Sequence, residues 1–173
     1  MLRTSAPLIG ALELTMPALI DTENPDSKWF EALNQWSRIA NWSTYNVSEV
    51  ELQRLYKALL VLIWNEKDWL KSQYPGKRSE IEEFINGSQV LSSIGDLANQ
   101  VKHRKLDRRR RSSVEQTEFK GKTTLGTGET RAMHFLRMPN GSHQEILAVL
   151  REGIYAMTLL RRKIMIEEKS REV

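Results

Sequence analysis

From Trp29 onward the apolar residues of this chain recur at steps of three and four, in successive blocks separated by short polar breaks. That rhythm restricts most of the chain to amphipathic helices that bury one face against each other. The first block, from Asp26, holds Trp29, Phe30, Leu33, Trp36, Ile39 and Ala40, with Asp26 or Ser27 as N-cap, and ends near Trp42. A connector over 41–46 follows. Ser48 with Glu51 three residues on then forms a capping box for a second helix, roughly Glu49 to Gln73. This helix is apolar almost all round between Ala58 and Trp64, which predicts a central position.

Pro75 and Gly76 are expected to stop the second helix, and Ser79 with Glu82 repeats the capping box for a third. The run Asn86-Gly87-Ser88 marks a break, after which Ser88 caps a fourth stretch to about Lys105 on Val90, Leu91, Ile94, Leu97, Ala98 and Val101. At about 100° per residue Asp96, Asn99 and His103 share one stripe opposite that apolar face, which predicts a face for a partner. Residues 106–141 lose helical periodicity and gain Gly and Thr, and Thr130 to Met138 is the expected strand. Ser142 with Glu145 is a third capping box for a last helix to about Glu168. Arg161, Arg162 and Lys163 are placed to suit the negative end of its dipole.

The predicted fold is therefore mainly α: an antiparallel bundle of four to five helices with a short β-hairpin-like or irregular insert before the last helix. Residues 26–173 form the single bundle domain, with 106–141 as its insert, and 1–25, which carry three prolines and a glycine, a loosely structured arm. The five Trp are expected mainly in the core, with any exposed parts available to an interface.

Composition excludes several chemistries. With no Cys there is no disulfide scaffold, thiolate zinc site or thiol nucleophile, and a reducing compartment is compatible. The longest apolar run, Ala58 to Trp64, is far short of the roughly 20 residues of a membrane span. Glu13 and Pro17 interrupt the apolar stretch Pro7–Ile20 that would otherwise imitate a secretory signal, so a cytoplasmic, membrane-free protein is expected.

The segment Gly121-Lys122-Thr123-Thr124 imitates the end of a phosphate-binding loop. The glycine such a loop needs five positions earlier is Gln116 here, and the following Leu125-Gly126-Thr127-Gly128 cannot propagate a helix well. His103, His134 and His143 show no zinc-ligand spacing. Glu80, Glu82 and Glu83 suit a helix N-terminus better than paired-carboxylate catalysis. No cofactor or metal is expected.

Charge is unevenly spread. The chain carries 26 Lys and Arg against 22 Asp and Glu, a net +4. Lys102, Arg104, Lys105, Arg108, Arg109, Arg110 and Arg111, opposed only by Asp107, give a local +6 and leave the rest of the chain at −2. A surplus concentrated this way fits a polyanion contact, nucleic acid first and an anionic membrane second, or else a solvated or disordered loop that repels itself. Directly before it stands Asp96-Leu97-Ala98-Asn99-Gln100-Val101-Lys102-His103. Asn99, four residues before His103, can fix the imidazole tautomer. Lys102 and Arg104 would oppose its protonation. A neutral imidazole beside cations able to hold a phosphodiester suits a general base for attack by a ribose 2′-hydroxyl. A surface His on a basic helix end is the alternative.

At these residues the chain resembles the HEPN superfamily of prokaryotic toxins, defence proteins and CRISPR-linked ribonucleases. The resemblance rests on a helical bundle whose late helix carries Asn99-Gln100-Val101-Lys102-His103, and it covers mainly residues 26–105 and the last helix. It implies a homodimer in which two motifs meet to form one metal-independent endoribonuclease site. Asn99 would take the family's polar position, His103 the general base, and Lys102 a phosphate contact. The family's Arg position is occupied by Ala98, so its charge must come from Lys102, Arg104 or the partner, or the activity is absent. Two functions therefore stand side by side. One is a HEPN-like RNA-binding protein, with ribonuclease activity, in a toxin or anti-phage setting. The other is a non-catalytic assembly module that binds a protein partner or nucleic acid through its arginine loop. A second Arg-to-His spacing, Arg137 to His143, reads as a turn because Pro139 and Gly141 forbid a regular helix there.

Overall fold

The computed structural model describes residues 28–41, 48–103, 116–118, 122–124, 130–132, 134–137 and 141–170. Among the described residues five helices carry the fold: α1 (Lys28–Ala40), α2 (Glu49–Gln73), α3 (Arg78–Gly87), α4 (Gln89–His103) and α5 (Ile146–Lys169). Between α4 and α5 lie five three-residue strands: β1 (Gln116–Glu118), β2 (Lys122–Thr124), β3 (Thr130–Ala132), β4 (Phe135–Arg137) and β5 (His143–Glu145). They form an antiparallel sheet ordered β1-β4-β5 and a separate β2-β3 pair. The predicted mainly-α bundle with a β excursion before its last helix is the observed architecture. Among the described residues no helix is long and apolar enough to cross a membrane.

The helices assemble as their spacing dictates. Trp29, Ala32, Trp36 and Ile39 of α1 pack into one core with Leu52, Tyr56, Leu59, Leu60, Ile63, Trp64 and Leu70 of α2. Helix α2 packs on α1, α3, α4 and α5, the central position expected for it. Its start is set by Ser48, whose Oγ accepts the Glu51 amide at 3.2 Å. The Glu51 carboxylate pairs instead with Arg38 of α1 at 3.2 Å.

Two capping boxes did not form. Helix α3 follows directly on a 3-10 turn, Pro75–Lys77, so Ser79 already lies inside the helix and the Glu82 carboxylate pairs with Lys71. Helix α5 begins at Ile146, not Ser142. Pairing of His143–Glu145 with Phe135–Arg137 holds those residues extended, and the Ile146 amide donates to the His134 carbonyl at 2.9 Å. The expected single strand Thr130–Met138 is split: β3 joins β2 and β4 joins β1 and β5, on either side of buried His134. The His134 ring meets Tyr56 of α2 edge to face, with centroids 5.3 Å apart. Burial holds its pKa below the usual imidazole value, against the pull of Glu49.

A charge cluster joins the start of α3 to the end of α5. Lys77 bonds Glu80 at 2.8 Å and also Glu167, and Lys163 reaches Glu80 at 2.7 Å. The hydrogen bond from Lys163, reinforced by Lys77, lowers the Glu80 carboxyl to a pKa of about 2 from an ordinary 4.5. A carboxylate with a depressed folded pKa stabilises the fold above its unfolded value, and that contribution is lost as pH falls from about 4.5 toward 2. Glu80→Gln is therefore expected to flatten the acid side of the stability curve in that window. Urea unfolding of wild type and variant at several pH values reads the difference, and parallel curves would refute it.

Candidate nucleic-acid interface

Helix α4 is buried more completely than its periodicity predicts. Every residue from Leu91 to Ala98 is buried, because α2, α3 and α5 all pack on it. Asp96, expected on an open stripe with Asn99 and His103, is only 1% exposed. Small side chains make this possible. Ser93 Oγ donates back to the Gln89 carbonyl at 2.9 Å and Ser92 Oγ to the Ile85 carbonyl at 3.3 Å, which satisfies both hydroxyls inside the bundle. A partner face running the length of α4 is thereby ruled out.

Exposure returns only in the last turn. Asn99 is half-buried, Lys102 is exposed, and His103 is the final helical residue, its side chain lying outside the described residues. Arg104, Lys105 and Arg108, Arg109, Arg110 and Arg111 also lie outside them. Ala98 is fully buried, so the position that would hold the family's Arg faces the core. The Lys102 ammonium donates to Asn65 Oδ1 of α2 at 2.6 Å. Asn65 carried no sequence signal, since it is simply the first polar residue after the apolar run and lies 37 positions from Lys102.

That contact decides the electrostatics of the helix end. Lys67, Lys71, Lys77 and Lys163 all sit against carboxylates. Lys102 instead donates to a neutral amide, and no carboxylate pairs with it among the described residues. A cation at the helix end that meets no carboxylate among the described residues, next in sequence to the arginine tract, suits a phosphate better than a structural ion pair.

Other candidates resolve into structure. Arg161, read as a dipole partner, lies well inside α5, which runs on to Lys169. It forms a buried ion pair with Glu66 of α2, and its guanidinium lies 5.7 Å from the Trp29 ring centroid and 5.2 Å from that of Trp69. Trp29, Trp36 and Trp64 are buried and Trp69 half-buried, so these rings serve the core; Trp42 lies outside the described residues. Arg137 and His143 stand opposite each other across the β4–β5 hairpin, both exposed, with Gly141 at φ +80 supplying the turn. Lys122–Thr124 is itself a strand, where a phosphate-binding loop requires the start of a helix. Of the three grouped glutamates, Glu80 and Glu82 are ion-paired. Among the described residues no group of three or more His, Asp or Glu could hold a metal ion.

Set against family models, curated proteins and solved structures, the chain matches none.

Proposed function

We propose that this protein is a HEPN-like RNA-binding protein whose contact surface runs from the last turn of α4 into the arginine tract. The observation that carries the reading is Lys102, exposed and fixed by neutral Asn65 one residue before His103. In this proposal Lys102 and the tract hold a phosphodiester, and Asn99 orients the His103 imidazole. His103 takes the proton from a ribose 2′-hydroxyl. The 2′-oxygen then attacks the neighbouring phosphorus, the bond to the 5′-oxygen breaks, and that oxygen leaves with a proton from water. The products are a 2′,3′-cyclic phosphate and a 5′-hydroxyl end. Two copies acting together would place a second set of cations at the site, in the role that buried Ala98 leaves open. A cytoplasmic toxin or antiviral defence setting is part of the same proposal.

Burial of Ala98 favours one further reading, a non-catalytic module that binds nucleic acid or a protein partner through the tract. One experiment separates them. Purified protein is incubated with RNA in EDTA, wild type beside His103→Ala. The ribonuclease reading expects cleavage that survives EDTA and disappears in the variant, with binding nearly unchanged. Absence of His103-dependent cleavage removes it. Under either reading, Lys102→Met is expected to weaken RNA binding and reduce the slope of log K against log salt by about 0.7, the value for one single-strand phosphate contact. An unchanged slope sinks the interface itself.

A further inference from the structure

Among the described residues, the exposed large apolar side chains cluster on α5. Tyr155 is 61% exposed, Leu159 40% and Ile166 62%. With the exposed Glu152, Arg162 and Lys169 they recur at alternating steps of three and four, the spacing of a coiled-coil seam. At about 100° per residue these six positions span an arc of about 100°. That arc faces away from Gly153, Met157, Leu160 and Ile164, which pack into the bundle.

The stripe is complementary to itself in one orientation. If a second α5 is turned antiparallel about a two-fold axis between Leu159 and Arg162, Tyr155 meets the partner's Ile166. Leu159 then meets the aliphatic stem of the partner's Arg162, and Glu152 meets the partner's Lys169. A parallel arrangement would set Glu152 on the partner's Glu152 and Lys169 on the partner's Lys169, both repulsive. The charges at the two ends of the stripe thus select an antiparallel second copy. We infer that the outer face of α5 is a seam for an isologous antiparallel homodimer built on Tyr155, Leu159 and Ile166, with Glu152 and Lys169 fixing its register.

The seam lies on the side of α5 opposite Gly153, against which Ile94 of α4 packs, so it is a contact separate from any that would bring two α4 ends together, and it stands apart from the proposed site. It runs about 26 Å along the helix at about 1.5 Å per residue. A single pair of helices of that length buries less than the about 1,200 Å² of a standard interface, so the association is weak and concentration-dependent.

Sedimentation velocity of the full chain over roughly 1 μM to 1 mM, the range that suits so small an interface, tests the seam. The expected result is a monomer–dimer equilibrium that Ile166→Lys weakens at least about tenfold, a shift of about 1.4 kcal/mol. Glu152→Lys and Lys169→Glu should each weaken it, and the double variant should recover it, because the antiparallel register then pairs the exchanged charges. Circular dichroism confirms that each variant is folded, and all substituted positions are exposed. A wild type that stays monomeric throughout overturns the inference, as does a dimer indifferent to Ile166→Lys or a double variant no better than its singles. Failure of RNA binding with the dimer intact would instead count against the proposed function.

Discussion

Replacing Arg161 with Met is expected to cost about 3–5 kcal/mol of folding stability, since it leaves the Glu66 carboxylate inside the bundle without its guanidinium. Glu66 is 2% exposed and Arg161 4%, and the pair joins α2 to α5 across 95 residues of sequence. Glu66→Leu should cost a similar amount, by stranding the guanidinium between Trp29 and Trp69. The double variant is the informative one. Two apolar side chains remove both desolvation penalties together, so its loss should fall well below the sum of the singles, near neutrality where the replacements pack well. Urea unfolding of the four proteins measures this, and simple additivity would show that the two side chains act independently.

Gly95→Ala is expected to destabilise the protein by up to about 2 kcal/mol, although alanine is the better helix former. The helical preference favours the substitution by about 1 kcal/mol. Against it, a Cβ at this position would lie 2.5 Å from Trp64 Cη2, 2.6 Å from Cζ3 and 2.8 Å from Cζ2. Overpacking of that kind costs about 1–3 kcal/mol, and the clash prevails because the ring has little room to retreat. Trp64 is buried, and the Lys67 ammonium lies over it at 4.7 Å from the centroid. Gly87 supplies the control: nothing lies within 4 Å of a Cβ built there, so Gly87→Ala should be stabilising by up to about 1 kcal/mol, less so because it ends α3. In a Trp64→Leu background the Gly95→Ala penalty should shrink, a coupling that a double-mutant cycle reads directly. If Gly95→Ala raises the unfolding midpoint, close packing of α4 on α2 is not what holds glycine at this site.

The helices were legible because their information is local. Steps of three and four located α2 and α4, and Ser48 and Ser88 cap them as their positions predict. Ser79 and Ser142 carry the same local signature and failed for non-local reasons. A 3-10 turn absorbed the first, and pairing with β4 extended the chain after the second. Asp96 and Arg161 were misplaced by the same limitation. A charged residue in a helix reads as solvent-facing until the helix that covers it is known, and for Arg161 that helix lies 95 residues away. At the candidate interface the order Asn99, Lys102, His103 was visible in the sequence. The role of Asn65, which accepts a hydrogen bond from Lys102, required the packing of α4 on α2.

Strand β5 passes into α5 without an intervening residue, and the first helical amide is tied to the β4 side of the hairpin through His134. The end of the hairpin and the first turn of α5 are therefore one continuous stretch of backbone, closed on itself by that hydrogen bond. The opposite end of the same helix is fastened separately, where Glu167 and Lys163 clasp the start of α3, so α5 is anchored at both ends by contacts distant in sequence.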